Sequence, residues 1–129
     1  VYKRASKVGE LGIKDNTLVI FTGDNGTDVP IVSQVNGKEV AGAKSKSTDA
    51  GTRVPLIVQW PGVIKPNTTN TDLVDFSDFL PTISEAANIK VPDALTIDGR
   101  SFLPQLLGEE GQPRAWIYNW YSRSGAVDK

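Results

Sequence analysis

The chain has 129 residues, 39% of them apolar, with 12 glycines and a formal charge of −1, a balance that suits one ordinary globular domain and excludes global disorder. Cysteine and histidine are both absent, which excludes disulfides, thiolate or imidazole metal sites and Ser-His or Cys-His nucleophile pairs and leaves only hard cations on oxygen ligands, calcium or magnesium. The charge balance argues against a nucleic-acid partner, and the longest apolar runs, residues 18–21 and 54–58, fall far short of the roughly 18 residues that a membrane span needs.

From the amino end, residues 1–11 place Ala5, Val8 and Leu11 on one helical face, and Gly12 ends what reads as the tail of a longer helix. These residues also lack the apolar stretch of a signal peptide. Lys14, Asp15 and Asn16 have turn chemistry. Residues 17–21, an unbroken β-branched and aromatic run, predict a strand buried on both faces of a parallel sheet. Residues 22–26 are then the loop at its carboxyl end.

Residues 27–47 are polar, with a tight turn at Asn36-Gly37 and no clear period of 2 or 3.6, and predict an ordered excursion outside the core. Residues 54–60 form a second strand, with Pro55 near its start where a missing donor is tolerated and Pro61-Gly62 closing it. Residues 66–71 are a polar surface loop. Ser77 or Asp78 caps a helix to about Asn88, whose stripe of Phe79, Leu80, Ile83, Ala86 and Ala87 is expected to pack on the sheet. Asp98-Gly99 is a turn, Ser101 caps a short helix carrying Phe102, Leu103, Leu106 and Leu107, and Gly108 ends it. Residues 116–121 read as an aromatic strand. The inventory is α/β in class but sparse for a self-contained doubly wound sheet, so residues 1–129 read as a single partial domain, a fragment of a larger one.

Gly23-Asp24-Asn25-Gly26 places two oxygen-bearing side chains outside the carboxyl end of the first strand, where open α/β sheets bind ligands. Alone, the tripeptide is more often a turn than a metal site. The series TLVIFTGDNG, SQVNGKEVAGAKSKSTDAGTRVPLIVQWPG, DLVDFSDFLPTI and DGRSFLPQLLG, in that order, resembles the carboxyl-side half of the catalytic domain of the type I sulfatases, of the alkaline phosphatase superfamily. The resemblance is strongest over residues 8–108.

That resemblance implies a partial alkaline-phosphatase-like mixed sheet with flanking helices. It also implies that Asp24 and Asn25 bind one calcium ion. Lys44, nine residues before Arg53, corresponds to the lysine that contacts the sulfate ester oxygens, where an ammonium can lie over the charge developing in sulfuryl transfer. Lys46 has no family role. Many sulfatases have Gly-Gly-Lys-Gly and Glu-Gly-Gly where this chain has Gly42-Ala43-Lys44-Ser45 and Asp49-Ala50-Gly51, and Asp49 and Arg53 read as structural, bracing the loop that carries Lys44.

The family's nucleophile is a formylglycine made from a Cys or Ser in a Cys/Ser-x-Pro/Ala-x-Arg motif, and no serine of this chain begins one. The formylglycine, the early paired aspartates and the active-site histidines are expected outside it. The implied function is thus a portion of a sulfatase hydrolysing sulfate esters by a formylglycine and calcium mechanism, inert by itself. The implied partners are the sulfate ester and the amino-terminal part of the same catalytic domain, with oligomers through exposed edges, in a periplasmic or secreted setting. Two alternatives stay open: a phosphonate or phosphodiester hydrolase of the same superfamily, and a noncatalytic binding domain with a sulfatase-like fold.

Overall fold

The computed structural model describes residues 2–122; Val1, where the first helix was expected to begin, and residues 123–129 lie outside the described residues. Helix α1 (Tyr2–Glu10) ends as expected at Gly12, whose φ of 69° is a conformation glycine adopts without strain. A 3-10 turn at Lys14–Asn16 leads into strand β1 (Val19–Thr22). Strands β2 (Val32–Val35) and β3 (Lys38–Ala41) follow, then a single helical turn, α2 (Asp49–Thr52), and strand β4 (Leu56–Gln59). A 3-10 turn at Phe76–Asp78 runs directly into α3 (Phe79–Ala86), and α4 (Leu103–Leu107) ends at Gly108 with φ 87°. Among the described residues β1 pairs with β4 and β2 pairs with β3, each as a two-stranded sheet.

Three expectations change, while the ordered excursion expected over residues 27–47 is an exposed antiparallel hairpin in register Val32↔Ala41 to Val35↔Lys38. Its turn places Asn36 (φ 51°) and Gly37 (φ 75°) both in the left-handed region, the type I′ geometry that matches strand twist. Residues 116–121 form no strand. Neither long apolar strand is buried on both faces: Phe21 is exposed in β1 and Ile57 is 57% exposed in β4, because a two-stranded sheet leaves each strand an edge with a free face. The stripe on α3 is largely open, with Leu80 52% and Ile83 48% exposed, and the packing of α3 is against the Phe76–Asp78 turn and α4.

The chain divides into two compact units, Val1–Val19 with Val58–Ile117, and Ile20–Ile57 with Tyr118–Lys129. In the first, a fully buried Thr82 donates its hydroxyl to the Asp78 carbonyl at 2.6 Å and accepts the Phe102 amide at 3.0 Å, tying α3 to the start of α4. Phe79 stacks on Phe76 at 5.3 Å and meets Phe102 edge-on at 5.7 Å between ring centroids.

Asp78, 2% exposed, is the polar centre of this unit. Its carboxylate accepts the amides of Arg100 at 2.7 Å and Asp75 at 2.8 Å, and Nε of Arg114 at 2.8 and 3.0 Å. The cap expected of Ser77 or Asp78 belongs to Asp75, which accepts the Ser77 amide at 2.9 Å while Asp78 returns the bond, a reciprocal capping box. Gly99 is required here by proximity: a Cβ on it would lie 1.9 Å from the Ser77 carbonyl oxygen. At α4 the N-cap position is Phe102, one residue later than the Ser101 expected, and the Ser101 hydroxyl accepts the Leu103 amide at 3.2 Å.

Candidate active site

Strand β1 delivers the chain to Gly23-Asp24-Asn25-Gly26 at its carboxyl end, as its apolar run predicts. The loop is pinned at once, for the Gly26 amide donates to the Gly51 carbonyl at 2.8 Å. Gly26 is buried, and a Cβ there would lie 2.1 Å from the Ala50 carbonyl oxygen. The Asp-Asn-Gly loop and α2 therefore meet backbone to backbone, with no room for a side chain between them.

The loop carrying Lys44 is laced to the same place. The Lys44 amide donates to the Thr27 carbonyl at 3.0 Å, and the Lys46 amide to the Ala43 carbonyl at 3.0 Å. A Cβ on Gly42 would fall 2.0 Å from the Asp28 carbonyl oxygen, and one on Gly51 would fall 2.1 Å from that of Lys46 and 2.5 Å from that of Ala43. Three glycines thus stand where three segments cross at backbone contact, and Ala43 is buried among them. The departures from Gly-Gly-Lys-Gly leave this close path intact. One of them has a visible cost: Ser45 sits at φ 72°, the left-handed region that favours glycine.

All three expected site residues are therefore brought into one backbone-laced cluster within the Ile20–Ile57 unit. Asp24 and Lys44 are exposed and Asn25 is half-buried, and none of the three side chains has a hydrogen-bond or ion-pair partner among the described residues. The cluster offers two hard oxygen donors and one ammonium, suited to a hard cation and an oxyanion side by side. Among the described residues no three of His, Cys, Asp and Glu gather in a group that could hold a metal. Calcium takes about six to eight oxygens, so the Asp24 and Asn25 side chains would supply only part of such a shell.

Asp49 and Arg53 pair with each other at 3.8 Å across α2, and both are exposed. Such a pair is worth little. The bracing expected of them is done by the backbone at Gly51. Gly26, Gly42 and Gly51 are what bring the loops together, and their only signal in sequence is glycine recurring beside each candidate group.

The sulfatase family pattern matches residues 5–89. An ulvan-active sulfatase of Formosa agariphila is 36% identical over 87% of this chain and 19% of its own length, and human arylsulfatase A is 36% identical over 86% and 22%. The chain belongs to the sulfatase family. A protein solved in work on glycosaminoglycan metabolism by Bacteroides thetaiotaomicron superposes with a TM-score of 0.67 at 26% identity, over 87% of this chain and 25% of that one. The mixed α/β architecture described above is accordingly part of the alkaline-phosphatase-like sulfatase fold. The chain spans about a fifth of the length of the curated sulfatases it matches. No helix among the described residues is long and apolar enough to cross a membrane.

Proposed function

We propose that this chain is the carboxyl-side part of a sulfatase catalytic domain, within a longer polypeptide that hydrolyses sulfate esters. What supports the reading is the backbone lacing of the Lys44 loop onto the Asp24-Asn25 loop in a chain of this family. Lys44 lies against the ester's sulfate oxygens and stabilises the charge that grows on them as the S–O bond to the alcohol breaks. Asp24 and Asn25 would supply two of the oxygen ligands of a calcium ion, which when bound would add positive charge that favours an anionic ester. The nucleophile, a formylglycine, comes from outside this chain. The exposed, unpaired state of Lys44 suits this role, since the ammonium spends no interaction elsewhere before substrate arrives.

The test is turnover of 4-nitrophenyl sulfate by the full-length polypeptide. Lys44→Ala should lower kcat by about a hundredfold or more, roughly 3 kcal/mol. Lys46→Ala, two residues on and also exposed, should change it less than about twofold. Equal losses in the two variants would show that Lys44 does not act on the ester.

A further inference from the structure

Two Asn-Gly pairs stand in this chain, Asn25-Gly26 and Asn36-Gly37. In such a pair the glycine's backbone nitrogen can attack the asparagine's side-chain carbonyl carbon, because the glycine has no Cβ to block the approach. The new N–C bond closes a succinimide ring while the bond from Cγ to Nδ2 breaks. The nitrogen's proton passes through water to the leaving group, which departs as ammonia. Water then adds to one of the two ring carbonyls and opens the ring to aspartate or isoaspartate, with no change of oxidation state. Ring closure needs a glycine N–H free to lose its proton and a peptide free to swing toward the asparagine side chain.

The two pairs have opposite surroundings. Gly26 is buried, and its amide donates to the Gly51 carbonyl at 2.8 Å. A Cβ on Gly26 would lie 2.1 Å from the Ala50 carbonyl oxygen, so the Asn25-Gly26 peptide lies against the backbone of α2. Ring closure at Asn25 therefore requires the crossing of the loops to open first.

Asn36 and Gly37 form the turn between β2 and β3, and both are exposed, as is every residue of the two strands. The Gly37 amide has no hydrogen-bond partner among the described residues, and nothing lies within 4 Å of where a Gly37 Cβ would stand. The ladder behind the turn runs only from Val32↔Ala41 to Val35↔Lys38. A short two-stranded hairpin that buries no side chain opens at little cost.

We propose that Asn36 is a site of spontaneous deamidation, with water the only co-reactant, and that the bond between Gly26 and Gly51 keeps Asn25 an amide. The inference stands apart from the sulfate-ester reading. At the turn, aspartate adds a negative charge, and isoaspartate adds a backbone carbon to a loop whose register allows two ordinary residues. The same extra carbon beside Gly26 would disrupt the crossing that joins the Asp24-Asn25 loop to α2.

The experiment incubates the full-length polypeptide in mildly alkaline buffer, folded in one arm and in concentrated urea in the other. Samples are digested at acidic pH, where the reaction is slow, and mapped by mass spectrometry. In the folded protein Asn36 should convert about tenfold faster than Asn25 or more, and in urea Asn25 should accelerate to within about threefold of Asn36. Asn36→Gly, which suits the same turn, should leave its peptide unconverted. An Asn36 that stays an amide in the folded protein would overturn the assignment of the turn. Equal rates at the two asparagines in the folded protein would overturn the protection of Asn25. An Asn25 just as slow in urea would trace its resistance to its sequence neighbours and overturn the role given to the Gly26–Gly51 bond.

Discussion

At Ser45 the backbone of the lysine loop is held in a conformation that an L residue resists, with φ 72°. The left-handed penalty of roughly 1–2 kcal/mol, less the extra chain entropy a glycine loses on folding, predicts that Ser45→Gly stabilises the chain by about 0.5–1 kcal/mol. Thermal unfolding of the variant measures it. Gly26→Ala has the opposite sign for a different reason: its φ is not the issue, but its new Cβ would meet the Ala50 carbonyl 2.1 Å away. Backbone cannot give as a side chain can, so the loss should reach about 1–3 kcal/mol or more, and the displaced Asp24-Asn25 loop should lower turnover in the full-length polypeptide as well. A further outcome concerns Asp24 itself. Two donors out of about six to eight predict calcium binding by the 129-residue chain no tighter than millimolar. Titration calorimetry decides this, and a micromolar constant abolished by Asp24→Ala would show a site complete within these residues.

At the scale of elements, the junction of the Phe76–Asp78 turn with α3 depends on one buried ion pair. Burial alone would push the Asp78 carboxyl up, but the hydrogen bonds from Arg114, Arg100 and Asp75 outweigh it and hold Asp78 below its ordinary value of 3.8. The same contact raises Arg114 above its ordinary value. A carboxyl depressed in the folded state binds its proton more weakly there than in the unfolded chain. Its contribution is therefore complete above the ordinary carboxylate range and is lost as pH falls through the lower folded-state value. Thermal midpoints measured from pH 6 down to pH 2 should drop below about pH 4, and Asp78→Asn should lower the midpoint at pH 6 and flatten that drop. Arg114→Leu leaves a buried carboxylate without its partner and should cost about 3–5 kcal/mol. A loss below about 1 kcal/mol, the range of exposed pairs, would mean that the contact does not persist in solution.

At the scale of the whole molecule, the exposed apolar side chains include Ile57 on β4, Leu80 and Ile83 on α3, and Trp116 and Tyr118 near the carboxyl end. Each pairing of strands leaves edges with free N–H and C=O groups. Apolar surface of this extent drives association, so the 129-residue chain by itself should be oligomeric or prone to aggregation and only marginally stable. Sedimentation velocity and thermal unfolding check this. A cooperative monomer melting above about 65 °C would instead show a self-sufficient domain, as the noncatalytic alternative requires.

Local signals in the sequence determined β1 and β4, the helices ended by Gly12 and Gly108, and the Asp24-Asn25 loop beyond β1, because apolar runs, caps and left-handed glycines act over a few residues. The hairpin was partly legible: Asn36-Gly37 marked the turn, but exposed strands bury nothing and leave little alternation to read. Only the tertiary structure showed that Gly26, Gly42 and Gly51 bring Lys44's loop onto that of Asp24, since close approach of distant backbones leaves no periodicity in sequence. The same holds for Asp78 and Arg114, whose ion pair joins residues 36 positions apart. The sequence marked the helix start at Ser77 or Asp78 but not the capping box from Asp75, and a buried partner so far along the chain is chosen by packing, which no local pattern encodes.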